Sequence, residues 1–136
     1  MTERRTPVWV AAAADLVVIA LFVVIGRRTH HTGSAAAGFV RVLWPFLVGL
    51  VAGWLATGLA SAPLAWRRVV PAWFVTVGLG LALRIFVQGH DFKPAFTVVA
   101  VVFVGVGMLG WRGAVIGVGV IAGRRAAGSR GSLRQR

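Results

Sequence analysis

Apolar residues occur along the chain in four long runs separated by short polar segments. The first run extends from Val8 to Ile25, and the others cover about residues 37–60, 72–87 and 95–111. A helix needs roughly 20 apolar residues to cross a bilayer core about 30 Å thick, and each run is close to that length. The pattern therefore predicts an all-α fold, an integral membrane bundle of four transmembrane helices within residues 8–112.

The segments outside this bundle divide into three parts. Residues 1–7 form a short basic tail, and residues 124–136 are polar and basic, so we expect that C-terminal tail to be disordered. Residues 113–123 are apolar but only about half a membrane long. This segment either extends the fourth helix or lies at the membrane surface as an interfacial segment.

The composition supports a membrane location and narrows the partners. Hydrophobic residues make up 58% of the chain, whereas 15 Lys and Arg oppose 3 Asp and Glu, for a formal net charge of +12. Because most of the arginines flank apolar runs, we expect them to contact anionic lipid head groups of the bilayer and not nucleic acid. Cys is absent, which removes disulfides, thiolate metal ligands and Cys nucleophiles.

The distribution of positive charge predicts the orientation, because Lys and Arg accumulate in cytoplasmic segments. Four spans place both termini on one side of the membrane. The cations on that side are Arg4, Arg5, Arg67, Arg68, Arg124, Arg125, Arg130, Arg134 and Arg136. Those on the other side are Arg27, Arg28, Arg41 and Lys93. We therefore expect the N- and C-termini to be cytoplasmic.

Asp15 lies near the middle of the first span and needs a partner within the fold. A charge at the centre of a bilayer costs at least about 2.5 kcal/mol. Residues that recur every fourth position lie on one helical face, and two such stripes contain a candidate cation. The stripe of the second span is Arg41, Pro45, Gly49, Gly53 and Thr57, and that of the third is Ala72, Thr76, Gly80, Arg84 and Gln88. We expect both stripes to face the interior, where Asp15 pairs with Arg84 or with Arg41 beside Thr57 and Thr76.

Two roles are open for that polar core. A buried Asp–Arg pair is most simply structural, but an intramembrane carboxylate could also bind a cation or a protonated substrate. Small residues on the same helices let the backbones approach closely, which packs helices in lipid. The predicted packing positions are Gly49, Gly53, Gly80, Gly105 and Gly107.

Polar residues in the first and third loops fall on the side opposite the termini. They are Arg27, Arg28, His30, His31, His90 and Asp91. Imidazole and carboxylate groups can bind divalent transition ions, but these residues lack a tight ligand spacing, so we expect neither a metal nor a cofactor. No serine is matched with a His and a carboxylate as nucleophile and base. We therefore expect no catalytic residues and no enzymatic activity.

Several short motifs carry a family resemblance. Asp15 in the first helix is followed by GRRTH, the second span contains WPF and GW, the third contains LR, and the fourth ends in LGWR. In combination these resemble the bacterial membrane family known as domain of unknown function 3054, over about Asp15 to Arg112. The resemblance implies a small multi-pass bacterial membrane protein with no established activity. The residues it carries over are Asp15, Gly26, Arg27, His30, Trp44, Pro45, Gly53, Trp54, Arg84 and Trp111.

Two functions remain open from the sequence. The first is a non-enzymatic accessory or assembly subunit of a larger complex in the bacterial cytoplasmic (inner) membrane. The alternative is a small homo-oligomeric transporter or channel with Asp15 and Arg84 or Arg41 lining the path. Both functions predict association with other chains. An accessory subunit binds its complex, and a transporter with four spans per chain usually needs a partner to enclose a path.

Overall fold

A computed structural model describes residues 6–27 and 35–133. Those residues form four α-helices, with a 3-10 helix at Leu59–Ser61 between the second and third and no strand. The helices are α1 (Val8–Arg27), α2 (Ala35–Thr57), α3 (Trp66–Phe86) and α4 (Pro94–Leu133). Each contains a segment long and apolar enough to cross a membrane. The predicted all-α bundle of four membrane-spanning helices is confirmed, and its apolar surfaces suggest contact with a lipid bilayer.

The helices form a closed ring in which each packs on its neighbours in sequence and α4 also packs on α1. Neighbouring helices run antiparallel. Aromatic side chains fill part of the centre: the rings of Phe22 on α1 and Phe46 on α2 meet edge to face at 5.1 Å, and Phe96 of α4 lies 5.7 Å from Phe22. The core therefore joins three helices through ring contacts.

The closest helix pair is α2 with α3, and glycines make that approach possible. Gly49 lies directly against the backbone carbonyl of Thr76. A Cβ atom on Gly53 would lie 2.6 Å from the carbonyl oxygen of Ala72. A Cβ on Gly80 would lie 2.6 Å from Cδ1 of Phe46. A larger residue at Gly49 or Gly53 would push the two helices apart, and one at Gly80 would displace the ring of Phe46.

Two further glycines bring α4 against the other helices. Gly105 lies against the indole of Trp73, whose Nε1 donates to the carbonyl oxygen of Val101 at 3.2 Å. Gly107 lies against the side chain of Val18. The five predicted packing glycines thus all lie at helix contacts.

Helix α3 begins at Trp66, earlier than the start near residue 72 that the sequence predicts. Arg67, Arg68 and Pro71 indicated a loop, but they form the first turns of the helix. Pro71 is the sixth residue of α3, so it lies just past the four N–H groups that lack partners within a helix and removes one backbone hydrogen bond. Helix α2 ends at Thr57, before the predicted residue 60, and Gly58 follows in the left-handed region with φ of 61°.

Helix α4 is 40 residues long and continues well past the predicted end of the fourth span. Residues 113–123 extend this helix, which resolves the choice the sequence left open. Residues 124–133, for which the sequence predicts disorder, continue the helix, and residues 134–136 lie outside the described residues. An existing helix grows without a new nucleation step, and Arg and Ala are favourable helix residues.

Candidate functional site

The carboxylate of Asp15 lies on the inward face of α1. Ala11, Asp15 and Ile19 follow each other at intervals of one helical turn and are all fully buried. The neighbours on the other faces, such as Leu16 and Val17, are exposed. The periodicity of α1 therefore directs one charged group into the bundle and leaves an apolar surface outside.

Asp15 forms a bidentate ion pair with Arg112 of α4. Nη1 of Arg112 lies 2.6 Å from Oδ1 and Nη2 lies 2.8 Å from Oδ2. Both side chains have 0% exposure. Parallel N–H···O bonds between guanidinium and carboxylate give this pair a fixed geometry as well as charge neutrality.

Two tryptophans complete the coordination of the carboxylate. Nε1 of Trp54 on α2 donates to Oδ2 at 3.0 Å, and Nε1 of Trp111 on α4 donates to Oδ1 at 2.9 Å. Asp15 thus accepts four hydrogen bonds, which matches the number of lone-pair sites on a carboxylate. Its acceptor capacity is filled by side chains from α2 and α4.

Arg112 also donates hydrogen bonds to two backbone carbonyl groups. Its Nε donates to the carbonyl oxygen of Pro63, between α2 and α3, at 2.7 Å, and Nη1 donates to the carbonyl oxygen of Met108 at 2.8 Å. The guanidinium carbon lies 4.3 Å from the ring centroid of Trp111. We call Asp15, Trp54, Trp111 and Arg112 the carboxylate cluster. Through its bond to Pro63 as well, this cluster links α1, α2 and α4 to the segment between α2 and α3.

The expected pairing of Asp15 with Arg84 or Arg41 is wrong. Because α3 begins at Trp66, Arg84 lies eighteen residues along it, or about 27 Å, near its far end. There its guanidinium carbon lies 4.5 Å from the ring centroid of Phe96. Phe96 and Arg112 are sixteen residues apart on α4, about 24 Å along the helix. Asp15 and Arg84 therefore lie toward opposite ends of the bundle.

The remaining predicted polar-core residues do not join the cluster. The side chain of Arg41 is exposed on α2. The hydroxyl of Thr57 donates to the carbonyl oxygen of Gly53 at 2.8 Å, and that of Thr76 donates to the carbonyl oxygen of Ala72 at 2.7 Å. Both threonine hydroxyls thus donate to a backbone carbonyl group one turn earlier in their own helix, as hydroxyls in apolar helices commonly do.

The predicted outer-loop residues are described only in part. Arg28, His30 and His31 lie outside the described residues, as does the side chain of Arg27. His90 and Asp91 lie between α3 and α4, and Nδ1 of His90 is 3.2 Å from the carbonyl oxygen of Gln88. Within residues 6–27 and 35–133, no three His, Asp or Glu side chains are grouped so as to hold a metal ion.

Sequence reasoning missed Arg112 because Trp111 and Arg112 resemble an aromatic and basic pair at a membrane boundary. The helix continues through both residues, so Arg112 is an interior position of α4 and not a terminus. The motif LGWR contained the correct cation next to a tryptophan already singled out. The connection that supplies Pro63 gave no comparable signal.

The fold and this cluster define a small all-α protein of the membrane-spanning type, organised around a buried carboxylate. The chain matches the model of the family described as "Protein of unknown function (DUF3054)" over residues 12–115. It belongs to that family, and the match includes the whole carboxylate cluster. No curated protein and no solved structure matches the chain.

Proposed function

We propose that this protein is a non-enzymatic accessory or assembly subunit of a larger complex in a bacterial cytoplasmic membrane. The observation that carries the proposal is the apolar surface of α4 beyond the bundle. Trp66, the first residue of α3, lies near Gly113 of α4. Helix α4 continues from that level for eleven apolar residues to Gly123, or about 16 Å.

The exposed side chains of this stretch are apolar. They include Val115, Val118, Val120 and Ile121. The first turns of α1, with Val8 and Trp9 exposed, also continue past the level of Asp15. A continuous exposed apolar patch of this kind is typical of a protein or membrane contact, and two adjacent helices offer a partner a rigid surface. We define residues 8–14 and 113–123 as the apolar extension.

The carboxylate cluster supports this proposal over transport. A transport site must exchange ligands, but Asp15 is fully buried and already accepts four hydrogen bonds. Releasing one partner would leave a buried charge uncompensated, at a cost of about 3–5 kcal/mol. The cluster therefore favours a structural role for Asp15 over a place in a transport path.

The proposed orientation has both termini in the cytoplasm. Arg67 and Arg68 at the start of α3 lie at the same end of the bundle as Arg124 and Arg125 of α4, whereas Arg41 and Lys93 lie at the other. Positive charge concentrated at one end favours that end as the cytoplasmic one. Arginines at this end would contact anionic lipid head groups.

Co-purification tests the accessory role. The chain is expressed at native level, solubilised gently, sized, and the proteins that accompany it are identified by mass spectrometry. We expect a defined set of larger membrane subunits at fixed stoichiometry. Recovery of a homo-oligomer alone would instead support the transporter alternative.

A pair of matched variants locates the contact. Val118 in the apolar extension and Val106 in the bundle are both 68% exposed on the same helix. We expect Val118→Trp to release the partner, because a bulky ring disturbs a packed interface, and Val106→Trp to retain it, because lipid accommodates the ring. Retention of the complex by both variants would show that the extension is not the interface.

A further inference from the structure

A pocket of about 640 Å³ lies at the end of the bundle opposite the carboxylate cluster. Its walls come from the C-terminal parts of α1 and α3, the connection between α3 and α4, and the first turns of α4. Phe22, Ile25, Leu81 and Phe103 supply apolar surface. The volume lies within the range of small-molecule sites, and such sites combine apolar walls with a few polar groups.

Two polar atoms in the pocket wall are buried without a hydrogen-bond partner among the described residues. They are Nη1 of Arg84 and Oε1 of Gln88. The amide of Gln88 is oriented by its other end, since Nε2 donates to the carbonyl oxygen of Arg41 at 2.5 Å. Neither atom is solvent-accessible, so a ligand in the pocket would reach this donor and this acceptor after a local movement of the two side chains. Leaving such groups unpaired is unfavourable.

The charge of the pocket favours an anion. Arg84 and Lys93 carry positive charge there, Asp91 carries negative charge, and His90 adds a further polar group. Arg84 is held in place against the ring of Phe96. A guanidinium fixed by an aromatic ring presents its remaining N–H groups in a geometry suited to phosphate oxygens.

We propose that this pocket binds the phosphoglycerol head of an acidic glycerophospholipid. Phosphate oxygens accept hydrogen bonds from Arg84, a glycerol hydroxyl donates to Oε1 of Gln88, and the acyl chains lie along Phe22, Ile25 and Phe103. Ile25 is half exposed and Val99 on α4 is 51% exposed, so the pocket is open to the surroundings of the bundle. This site is independent of the proposed accessory role, since it lies at the other end of the molecule.

Lipid binding to the purified full-length chain tests the proposal. Phosphatidylglycerol and phosphatidylcholine with identical acyl chains are titrated in detergent and followed by native mass spectrometry. We expect phosphatidylglycerol to bind about tenfold more tightly, because it has a net negative charge and glycerol hydroxyls where phosphatidylcholine has a trimethylammonium cation beside Arg84 and Lys93. Arg84→Gln should remove that preference. Arg41→Gln is the matched control, because it removes an exposed cation at the same end that does not line the pocket.

Equal affinity for the two lipids would overturn the proposal. Equal loss of preference in both arginine variants would overturn it in favour of general surface charge. If Arg84→Gln does not fold, a second pair of variants decides. Val99 lines the pocket and Val98 does not. Val99→Trp should therefore weaken phosphatidylglycerol binding, whereas Val98→Trp should leave it unchanged, and identical behaviour of the two would rule out the pocket.

Free glycerol phosphate distinguishes the lipid from a soluble ligand with the same head. It lacks the chains that contact the apolar wall, so we expect at least about tenfold weaker binding than for phosphatidylglycerol. Comparable affinity would show that the apolar wall contributes nothing and would overturn the lipid assignment.

Discussion

The environment of Asp15 makes this residue a connector of helices and not a reactive group. Its carboxylate receives a guanidinium and two indoles from α2 and α4, and none of its oxygen atoms is left to a solute. Desolvating two opposite charges costs several kcal/mol, which close and well-aligned hydrogen bonds then offset. Such a pair adds little net stability but severely penalises any packing that separates its members.

That penalty predicts the behaviour of single and double variants. Asp15→Asn should lower the free energy of unfolding by about 3–5 kcal/mol, because Arg112 becomes an uncompensated buried charge. Arg112→Met should cost a similar amount. The double variant Asp15→Asn with Arg112→Met should lose less than the sum of the two losses, since no charge then remains.

Thermal unfolding in nanodiscs, followed by tryptophan fluorescence, measures all three variants. Asp91→Asn is the control, because that carboxylate is exposed between α3 and α4. If Asp15→Asn unfolds at the same temperature as the parent protein, the structural interpretation of the cluster is wrong.

At the scale of the helices, backbone proximity determines the packing of α2 on α3. Glycines, Gly49 and Gly53, lie where the two backbones are in contact. A large residue lies elsewhere: the buried ring of Phe46 fills the space beside Gly80. This alternation of small and large residues gives close contact between helices, which lipid would not otherwise drive together.

Two glycines on α3 provide a matched test of this packing. Gly80→Ala places a methyl group 2.6 Å from the ring of Phe46, which is fully buried, so we expect a loss of about 1–3 kcal/mol. A methyl group at Gly78 would meet no side chain and no other helix within 4 Å, and Gly78→Ala should stabilise the helix by up to about 1 kcal/mol. Equal unfolding temperatures for the two variants would contradict the close packing at Gly80.

The number and order of the helices could be predicted because bilayer thickness imposes a length on every apolar run. Helix ends were less predictable, since Pro71 and the adjacent arginines also suit a loop, and the basic tail has the composition of a disordered segment. The partner of Asp15 depends on the depth of each helix. The sequence predicts a start of α3 that is too late and an end of α4 that is too early. These two errors place Arg84 within reach of Asp15 and Arg112 at the membrane boundary.

At the scale of the whole molecule, the proposed orientation can be measured directly because the chain contains no cysteine. Single cysteines introduced as Ala60→Cys, Asp91→Cys and Gly128→Cys replace exposed residues. With cytoplasmic termini, a membrane-impermeant maleimide should label Asp91→Cys in intact cells, and the other two only after permeabilisation. The reverse pattern would invert the orientation, and different behaviour of Ala60→Cys and Gly128→Cys would contradict a shared end of the bundle.

The carboxylate cluster also sets a condition on biogenesis. Asp15 and Arg112 are 97 positions apart, and a ribosome needs about 5 to 20 s to synthesise that length. During this interval α1 has entered the insertion machinery with an acidic group whose guanidinium partner has not been made. Helix α1 can therefore pack stably in the membrane only after α4 has been synthesised and inserted. Chains truncated before Arg112 should therefore be retained by the insertion machinery or degraded.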